Sequence, residues 1–146
     1  IVLYGAGRMG LVTRAFAMRL KQLGFEAYVL GETTTPSVGP QDLLVANSSS
    51  GETRTVLEVA RIGKDRGASL AAVTCFPKAS IGRLADIIVT LPQGSPVEQP
   101  PDPGRKSLKT TSEQNLLILL DAVAILLMQQ TGQTPDDIWS RHSNLE

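Results

Sequence analysis

Hydroxyl side chains are concentrated in one short segment of the chain, Ser48-Ser49-Ser50-Gly51-Glu52-Thr53. The segment follows the apolar residues 43–46 and precedes a helical pattern, so free backbone N–H groups are expected at the start of a helix. Several hydroxyl groups beside free N–H groups suit a phosphate monoester, and such a site needs no metal ion. An ordinary helix cap, which requires only one hydroxyl, is the alternative interpretation. We predict that residues 48–53 bind a phosphate group.

A glycine-rich turn near the start of the chain is a second candidate phosphate site. Gly5-Ala6-Gly7-Arg8-Met9-Gly10 follows a predicted strand and opens a predicted helix, which matches the G-x-G-x-x-G dinucleotide pattern. Glu32 lies where an acid would meet the ribose in a nicotinamide-binding domain. The glycines could also simply permit a tight turn. A dinucleotide fold does not need a second, hydroxyl-rich loop, so we expect Arg8 to face the same pocket as residues 48–53.

Short apolar runs alternate with helical patterns, as in an α/β domain. The predicted strands are residues 1–4, 27–30, 43–46, 70–73 and 87–91. Continuous apolar strands are typical of a parallel sheet that is covered on both faces. Helices are predicted over 12–23, from 56 to near 67, over 116–128, and after Thr134, where a capping threonine precedes a proline and two acids. The pattern predicts one doubly wound domain over residues 1–146, with ligands at the carboxyl ends of the strands.

Composition limits the possible partners. Lysine and arginine total 14, aspartate and glutamate total 14, and the formal net charge is zero. This balance argues against nucleic acid and anionic membranes as partners, and no apolar run is as long as a membrane span. With one cysteine, Cys75, and one histidine, His142, a disulfide framework and a histidine-rich metal centre are excluded. We expect no metal, no cofactor and a reducing cytoplasm.

Several other segments carry predictions of their own. The chain begins at Ile1 inside a predicted strand, so we expect a natural N-terminal segment to be missing. Residues 93–105 hold four prolines and two glycines, which predicts a long loop of a length typical of functional or mobile loops. The apolar segment 116–128 requires burial in the domain or against another subunit. Trp139 is expected to be a core or interface anchor, and Cys75 a small buried residue.

The hydroxyl segment belongs to an ordered set of motifs that runs from the first residues to the last. The pattern Ser-x-Ser-Gly-x-Thr at 48–53 resembles the phosphate loop of the SIS (sugar isomerase) family. Other segments resemble its hexuloisomerase branch, namely residues 5–8, 16–20, 23–25, 31–36 and 141–146. The resemblance implies a five-stranded parallel sheet in the order 2-1-3-4-5 and a homo-oligomer, commonly a tetramer. It also implies interconversion of 3-hexulose 6-phosphate and fructose 6-phosphate, in the ribulose monophosphate route of formaldehyde fixation.

The resemblance also implies roles for individual residues. It makes Glu113 the proton acceptor and His142 a histidine near the site, from the same chain or a neighbouring subunit. Substrate and phosphate binding fall to Gly7, Arg8, Ser48, Ser49, Ser50, Gly51, Glu52 and Thr53. One carboxylate can take a proton from one carbon and return it to the next through an enediol intermediate. Met9 replaces the usual serine of the family, and residues 109–112 replace a Gly-Ser-Leu-Phe type sequence, which leaves the aim of Glu113 open.

Two other functions remain open at this point. A phosphosugar-sensing module without catalysis would use the same fold, and a nicotinamide-binding domain would use the glycine turn. Glu113 and His142 discriminate the sensor from the enzyme, because a sensor needs the phosphate loop but no base. The alternative interpretation of Glu113 is a solvated acid in the first turn of a helix.

Overall fold

Five parallel strands form the centre of the computed structural model, which describes residues 1–92 and 111–145. Their order is β2-β1-β3-β4-β5, and every pairing between neighbours is parallel. The strands are β1 (Val2–Gly5), β2 (Tyr28–Val29), β3 (Leu43–Asn47), β4 (Ser69–Thr74) and β5 (Ile87–Thr90). The predicted doubly wound sheet and its strand order are confirmed.

Five helices accompany the sheet in the described residues: α1 (Gly7–Gln22), α2 (Arg54–Asp65), α3 (Ser80–Leu84), α4 (Thr111–Gln130) and α5 (Pro135–Ser140). Helix α1 packs against α4, and α2 packs against α3. The short helix α3 was not predicted, because its five residues are too few for a helical period to show. The predicted loop 93–105 lies outside the described residues.

The helix ends follow from local sequence. Helix α1 ends before Gly24, whose φ of 82° is readily adopted only by glycine. Helix α5 begins with a capping box, in which Thr134 accepts a hydrogen bond from the backbone of Asp137 and the Asp137 carboxylate accepts one from the backbone of Thr134. This confirms the predicted start of the last helix.

Two apolar cores lie on opposite faces of the sheet. The core under α1 and α4 includes Leu3, Phe16, Leu20, Val45, Leu116 and Leu120. The core under α2 and α3 includes Val2, Leu44, Val56, Leu70 and Ile81. Successive strand residues alternate between these cores, since adjacent side chains point to opposite faces of a strand. The sheet therefore holds α1 and α4 on the same side.

The described chain exposes more apolar surface than the sequence suggests. Strand β5 was expected to be covered, but Ile87 is 54% and Ile88 41% exposed, because β5 is the edge strand. Trp139 is 72% exposed, so its predicted role as a core anchor is wrong, and an interface role stays a prediction. Ile118 and Ile125 of α4 are also more than half exposed. Cys75 is buried, as predicted.

Candidate active site

The carboxyl edge of the sheet places the glycine turn next to the hydroxyl-rich segment. Strands β1 and β3 are neighbours, and Gly5 is paired with Asn47 in their register. The glycine turn begins at Gly5, and the hydroxyl-rich segment begins immediately after Asn47. Gly7 has a φ of 58°, a conformation that side-chain-bearing residues rarely adopt, and it turns the chain into α1. Both loops therefore open from adjacent strands at one edge.

Residues 48–53, hereafter the hydroxyl loop, are held in shape by their own polar groups. The Oγ of Ser48 lies 3.0 Å from Oγ1 of Thr53, and the N–H of Gly51 donates to the Ser48 hydroxyl at 3.1 Å. The N–H of Glu52 donates to Ser50 Oγ at 3.2 Å. Ser48 is buried and Ser50 is exposed, so the loop presents hydroxyl groups from its base to its rim.

The hydroxyl loop does not cap α2 in the ordinary way. Thr53 is the N-cap residue of α2, yet its side chain makes no capping hydrogen bond and pairs with Ser48 instead. The positive end of the α2 dipole therefore meets a loop rich in hydroxyl groups. This combination of N–H groups, hydroxyl groups and helix dipole suits an anion such as a phosphate.

Glu52 is engaged by the next loop rather than open to the pocket. Its Oε1 accepts a hydrogen bond from the backbone N–H of Ser80 at 2.7 Å, and this bond lowers the pKa of Glu52. The carbonyl groups of Ser49 and Gly51 accept hydrogen bonds from the N–H groups of Cys75 and Ile81. Residues 75–81 are thus hydrogen-bonded to the back of the hydroxyl loop, and Glu52 connects that loop to the start of α3.

Arg8 and Glu113 meet across the edge of the sheet. The Nε of Arg8 lies 3.6 Å from Oε1 of Glu113. The Arg8 side chain is 62% exposed, whereas that of Glu113 is 14% exposed. Oε2 of Glu113 is buried and has no hydrogen-bond partner among the described residues. A mostly buried carboxylate with one uncommitted oxygen differs from the solvated acid that is the alternative interpretation of Glu113.

The first turn of α4 lies over the carboxyl ends of the central strands. The thiol of Cys75, which follows β4, contacts the Ser112 hydroxyl at 3.8 Å, while the adjacent Glu113 reaches Arg8 after β1. Strand β3 lies between β1 and β4, so this turn crosses above the end of β3, where the hydroxyl loop begins. The sequence left the orientation of the Glu113 side chain open. In the structure this side chain points to the turn that carries Arg8.

His142 lies beyond the opposite end of α4 from Glu113. Arg141 donates to the carbonyl of Gln22 at the end of α1, which fixes the tail there. Helix α4 has 20 residues, and at 1.5 Å per residue its two ends are about 30 Å apart. The His142 ring stacks on Trp139, with ring centroids 4.8 Å apart. A single chain therefore does not bring His142 and Glu113 together.

Two residues differ from what a phosphate or dinucleotide site needs, Met9 in the glycine turn and Glu32 after β2. Met9, at the position where the resemblance implies serine, is buried in the core under α1 and α4. It therefore adds no donor to the site. Glu32, the candidate ribose ligand, pairs with Arg14 at 3.4 Å. No group of three or more His, Cys, Asp or Glu residues suited to a metal ion occurs in the described part of the chain.

Known proteins resemble the chain in sequence and in structure. Residues 1–126 match the SIS domain model. The chain is 40% identical to the 3-hexulose-6-phosphate isomerase of Bacillus subtilis (strain 168), over 97% of this chain and 77% of that protein. It is 38% identical to the 3-hexulose-6-phosphate isomerase of Mycobacterium gastri, over 97% of this chain and 71% of that protein.

A solved structure gives the same result. A Methanococcus jannaschii protein, whose structure was reported to imply a function of 3-hexulose-6-phosphate isomerase, superposes with a TM-score of 0.87. The two are 36% identical, over 99% of this chain and 77% of that one. Fold and sequence agree, and the chain belongs to the SIS domain family.

Proposed function

We propose that this chain is a 3-hexulose-6-phosphate isomerase, which interconverts 3-hexulose 6-phosphate and fructose 6-phosphate. The observation that carries the proposal is the partly buried Glu113, held beside Arg8 above the strand end from which the hydroxyl loop opens. Relatives that bear this name align with nearly the whole chain, including both loops.

The reaction moves a carbonyl group from C3 to C2 of the sugar. Glu113 takes the proton from C2 of 3-hexulose 6-phosphate, and the electrons of that C–H bond form the C2–C3 double bond of an enediol. A proton moves from the C2 oxygen to the C3 oxygen, and the protonated carboxyl group of Glu113, which can exchange its proton with solvent, delivers a proton to C3. Atoms and charge balance without an oxidant. One carboxylate near the two carbons transfers the carbon proton as base and then as acid, and the transfer between the oxygens requires a second proton carrier.

Binding of the phosphate is assigned to the hydroxyl loop. Its hydroxyl and N–H groups hold the phosphate at the start of α2, which leaves the carbonyl end of the sugar to extend towards Arg8 and Glu113. Arg8 is mostly exposed, so its guanidinium can turn from Glu113 to an oxygen of the substrate. Glu52 supports the hydroxyl loop through Ser80 in this arrangement.

A non-catalytic phosphosugar sensor is the second candidate function. It would use the hydroxyl loop in the same way but would gain nothing from a mostly buried carboxylate whose Oε2 has no hydrogen-bond partner within residues 1–92 and 111–145. That oxygen is the feature that favours the enzyme.

We assign the exposed face of α4 to an interface with other copies of the chain, in a homotetramer in the cytoplasm. By length and composition α4 could cross a membrane, and 17% of its apolar window is buried. However, the helix carries Glu113 and Asp121, charges that are costly in lipid, and it packs on the sheet through Leu116 and Leu120. Coverage by subunits would also allow His142 of one copy to approach Glu113 of another.

The decisive experiment is incubation of the purified protein with fructose 6-phosphate, followed by NMR. A resonance of the 3-ketose that appears with time and stops at an equilibrium ratio is expected. If fructose 6-phosphate binds in calorimetry but is not converted, the protein is a phosphosugar sensor and not an isomerase. No binding of fructose 6-phosphate would overturn both.

A further inference from the structure

Two fully buried polar side chains connect the glycine turn to the hydroxyl loop. Asn47 is the last residue of β3 and precedes Ser48, the first residue of the hydroxyl loop. Thr13 lies in α1, one turn beyond Met9. The relative exposure of both Thr13 and Asn47 is 0%.

The hydrogen bonds of this pair run in one direction. Nδ2 of Asn47 donates to Oγ1 of Thr13 at 2.7 Å, and Oγ1 of Thr13 donates to the carbonyl of Met9 at 2.7 Å. A hydroxyl has one proton, which Thr13 gives to Met9, so Thr13 accepts from the amide. Oδ1 of Asn47 is then directed away from Thr13, and it is buried without a hydrogen-bond partner among the described residues.

Stability alone does not explain an asparagine at this position. A buried amide oxygen without a donor is unfavourable, whereas apolar residues of similar shape at both positions would leave no polar group unsatisfied. A buried polar atom of this kind in a folded protein requires an explanation other than its contribution to stability. What the amide nitrogen holds, through Thr13, is the carbonyl of Met9 in the first turn of α1.

That turn carries Arg8 and is fixed from two sides. On one side the Met9 carbonyl is held by Thr13 and, through it, by Asn47. On the other side Gly10 is packed so closely on β1 that a Cβ atom there would collide with the carbonyl oxygen of Gly5. The backbone of Arg8 therefore has one position relative to β3.

We propose that Thr13 and Asn47 are positioning residues that set Arg8 at a fixed distance from the hydroxyl loop. The inference rests on the proposed function in one respect, namely that a sugar phosphate spans the two loops. A displacement of about 1 Å between the groups that hold a substrate is enough to weaken their interaction with that substrate strongly. The pair acts through Arg8 and Ser48 and does not itself touch the substrate.

The test replaces Thr13 and Asn47 together, so that neither substitution leaves a buried polar side chain without its partner. In the double variant Thr13→Val/Asn47→Leu, both residues are replaced by apolar ones of similar shape, so the melting temperature should stay within about 3 °C of the wild type or rise. The Kd for fructose 6-phosphate in calorimetry, and the KM, should rise about tenfold, which is the effect of one lost hydrogen bond to a charged group. A merely structural pair would show the reverse, a lower melting temperature with unchanged Kd.

A matched pair of single variants keeps the test decisive if the double variant does not fold. Thr13→Val loses the hydroxyl, and Thr13→Ser retains it. We expect Thr13→Val to raise the Kd at least about fivefold and Thr13→Ser to restore it to within about twofold of the wild type. A Kd within about twofold of the wild type in Thr13→Val, measured well below its melting temperature, overturns the proposal. Because calorimetry needs no turnover, a wild type that binds but does not isomerise overturns only the proposed function.

Discussion

The guanidinium of Arg8 lies 3.6 Å from the carboxylate of Glu113, and the two side chains differ greatly in burial, at 62% and 14% exposed. An ion pair with one exposed partner contributes little to stability, since water screens it. Arg8 can therefore leave the pair for a substrate oxygen at little cost. Glu113 stays in place because α4 packs on the sheet through the residues that follow it.

Replacement of Glu113 by glutamine tests the base. Glu113→Gln keeps the shape of the side chain and removes the proton acceptor, so turnover should fall by roughly 10²–10⁴-fold while fructose 6-phosphate still binds. In heavy water the wild type should place deuterium on a carbon next to the carbonyl, and the variant should not. Steady-state kinetics and NMR measure the two effects.

Glu58→Gln is the matched control for this substitution. Glu58 is exposed on α2, which packs on the other face of the sheet from α4, so its replacement should leave turnover within about twofold of the wild type. Near wild-type exchange in a folded Glu113→Gln protein would contradict the assignment. The base would then be sought in Glu98 or Asp102, which lie outside the described residues.

A double substitution in the hydroxyl loop tests phosphate binding. Ser50→Ala with Thr53→Val removes two hydroxyl groups and should weaken binding of fructose 6-phosphate by roughly 1–3 kcal/mol, the effect of hydrogen bonds lost from a charged group. Any weak affinity for unphosphorylated fructose should not change. Thr55→Val, which removes an exposed hydroxyl from α2, is the control. If the double variant and the control bind fructose 6-phosphate with equal affinity in calorimetry, the phosphate is not bound by this loop.

Local patterns predicted most of the fold, because their signals lie within a few residues. The capping box of Thr134 and Asp137 and the glycine end of α1 were found in this way. Strand β2, however, has two residues rather than the four expected. It is an edge strand, and only Val2 and Leu3 pair with it.

Connections between distant residues could not be predicted from periodicity. The hydrogen bond from Asn47 to Thr13 joins residues 34 apart in sequence, and the bond from Ser80 to Glu52 joins residues 28 apart. A threonine in a helix and an asparagine at a strand end do not reveal, from the sequence alone, which residue each will hydrogen-bond. Glu52 is predicted, as part of the phosphate loop, to bind the substrate; the structure adds that its carboxylate accepts a hydrogen bond from the backbone N–H of Ser80 at the start of α3.

The pair Lys64–Asp86 makes stability depend on pH. Asp86 accepts hydrogen bonds from Lys64 and from the N–H of Leu70, and these bonds lower the pKa of Asp86. A carboxylate with a lowered folded-state pKa stabilises the protein above its ordinary pKa and loses that effect as the pH falls through the folded-state pKa. Asp86→Asn should therefore melt below the wild type at pH 7, and the difference should shrink between about pH 4 and pH 2.

Asp65→Asn is the control for the pH experiment, since Asp65 is exposed at the end of the neighbouring helix α2. Its melting temperature relative to the wild type should show no loss of stability that disappears in acid. A difference between Asp86→Asn and the wild type that is the same at pH 7 and pH 2 would show that the carboxylate charge does not matter. Thermal melts followed by circular dichroism measure both variants.

Activity is expected to need neither a metal ion nor a dinucleotide. Phosphate binding by the hydroxyl loop and proton transfer complete the reaction, so exhaustive treatment with EDTA should leave the rate unchanged. Added NAD should neither bind in calorimetry nor alter the rate, because the isomerisation moves protons within the sugar and transfers no hydride to or from a cofactor. A rate lost in EDTA and restored by zinc or magnesium would count decisively against this mechanism.

Mixing of inactive variants tests whether the site is shared between subunits. Glu113 and His142 lie at opposite ends of α4, which has 20 residues and is therefore about 30 Å long. If His142 acts, it must come from another copy, and a mixed oligomer of His142→Ala and Glu113→Gln chains then contains some sites with both native residues. Unfolding and refolding the two variants together should restore about a quarter of the wild-type activity for sites built from two randomly assorted chains.

Refolding each variant alone is the control, and mass spectrometry establishes subunit exchange. No recovery in oligomers shown to be mixed would mean that His142 is not shared across the interface, and a fully active His142→Ala protein would remove it from catalysis altogether.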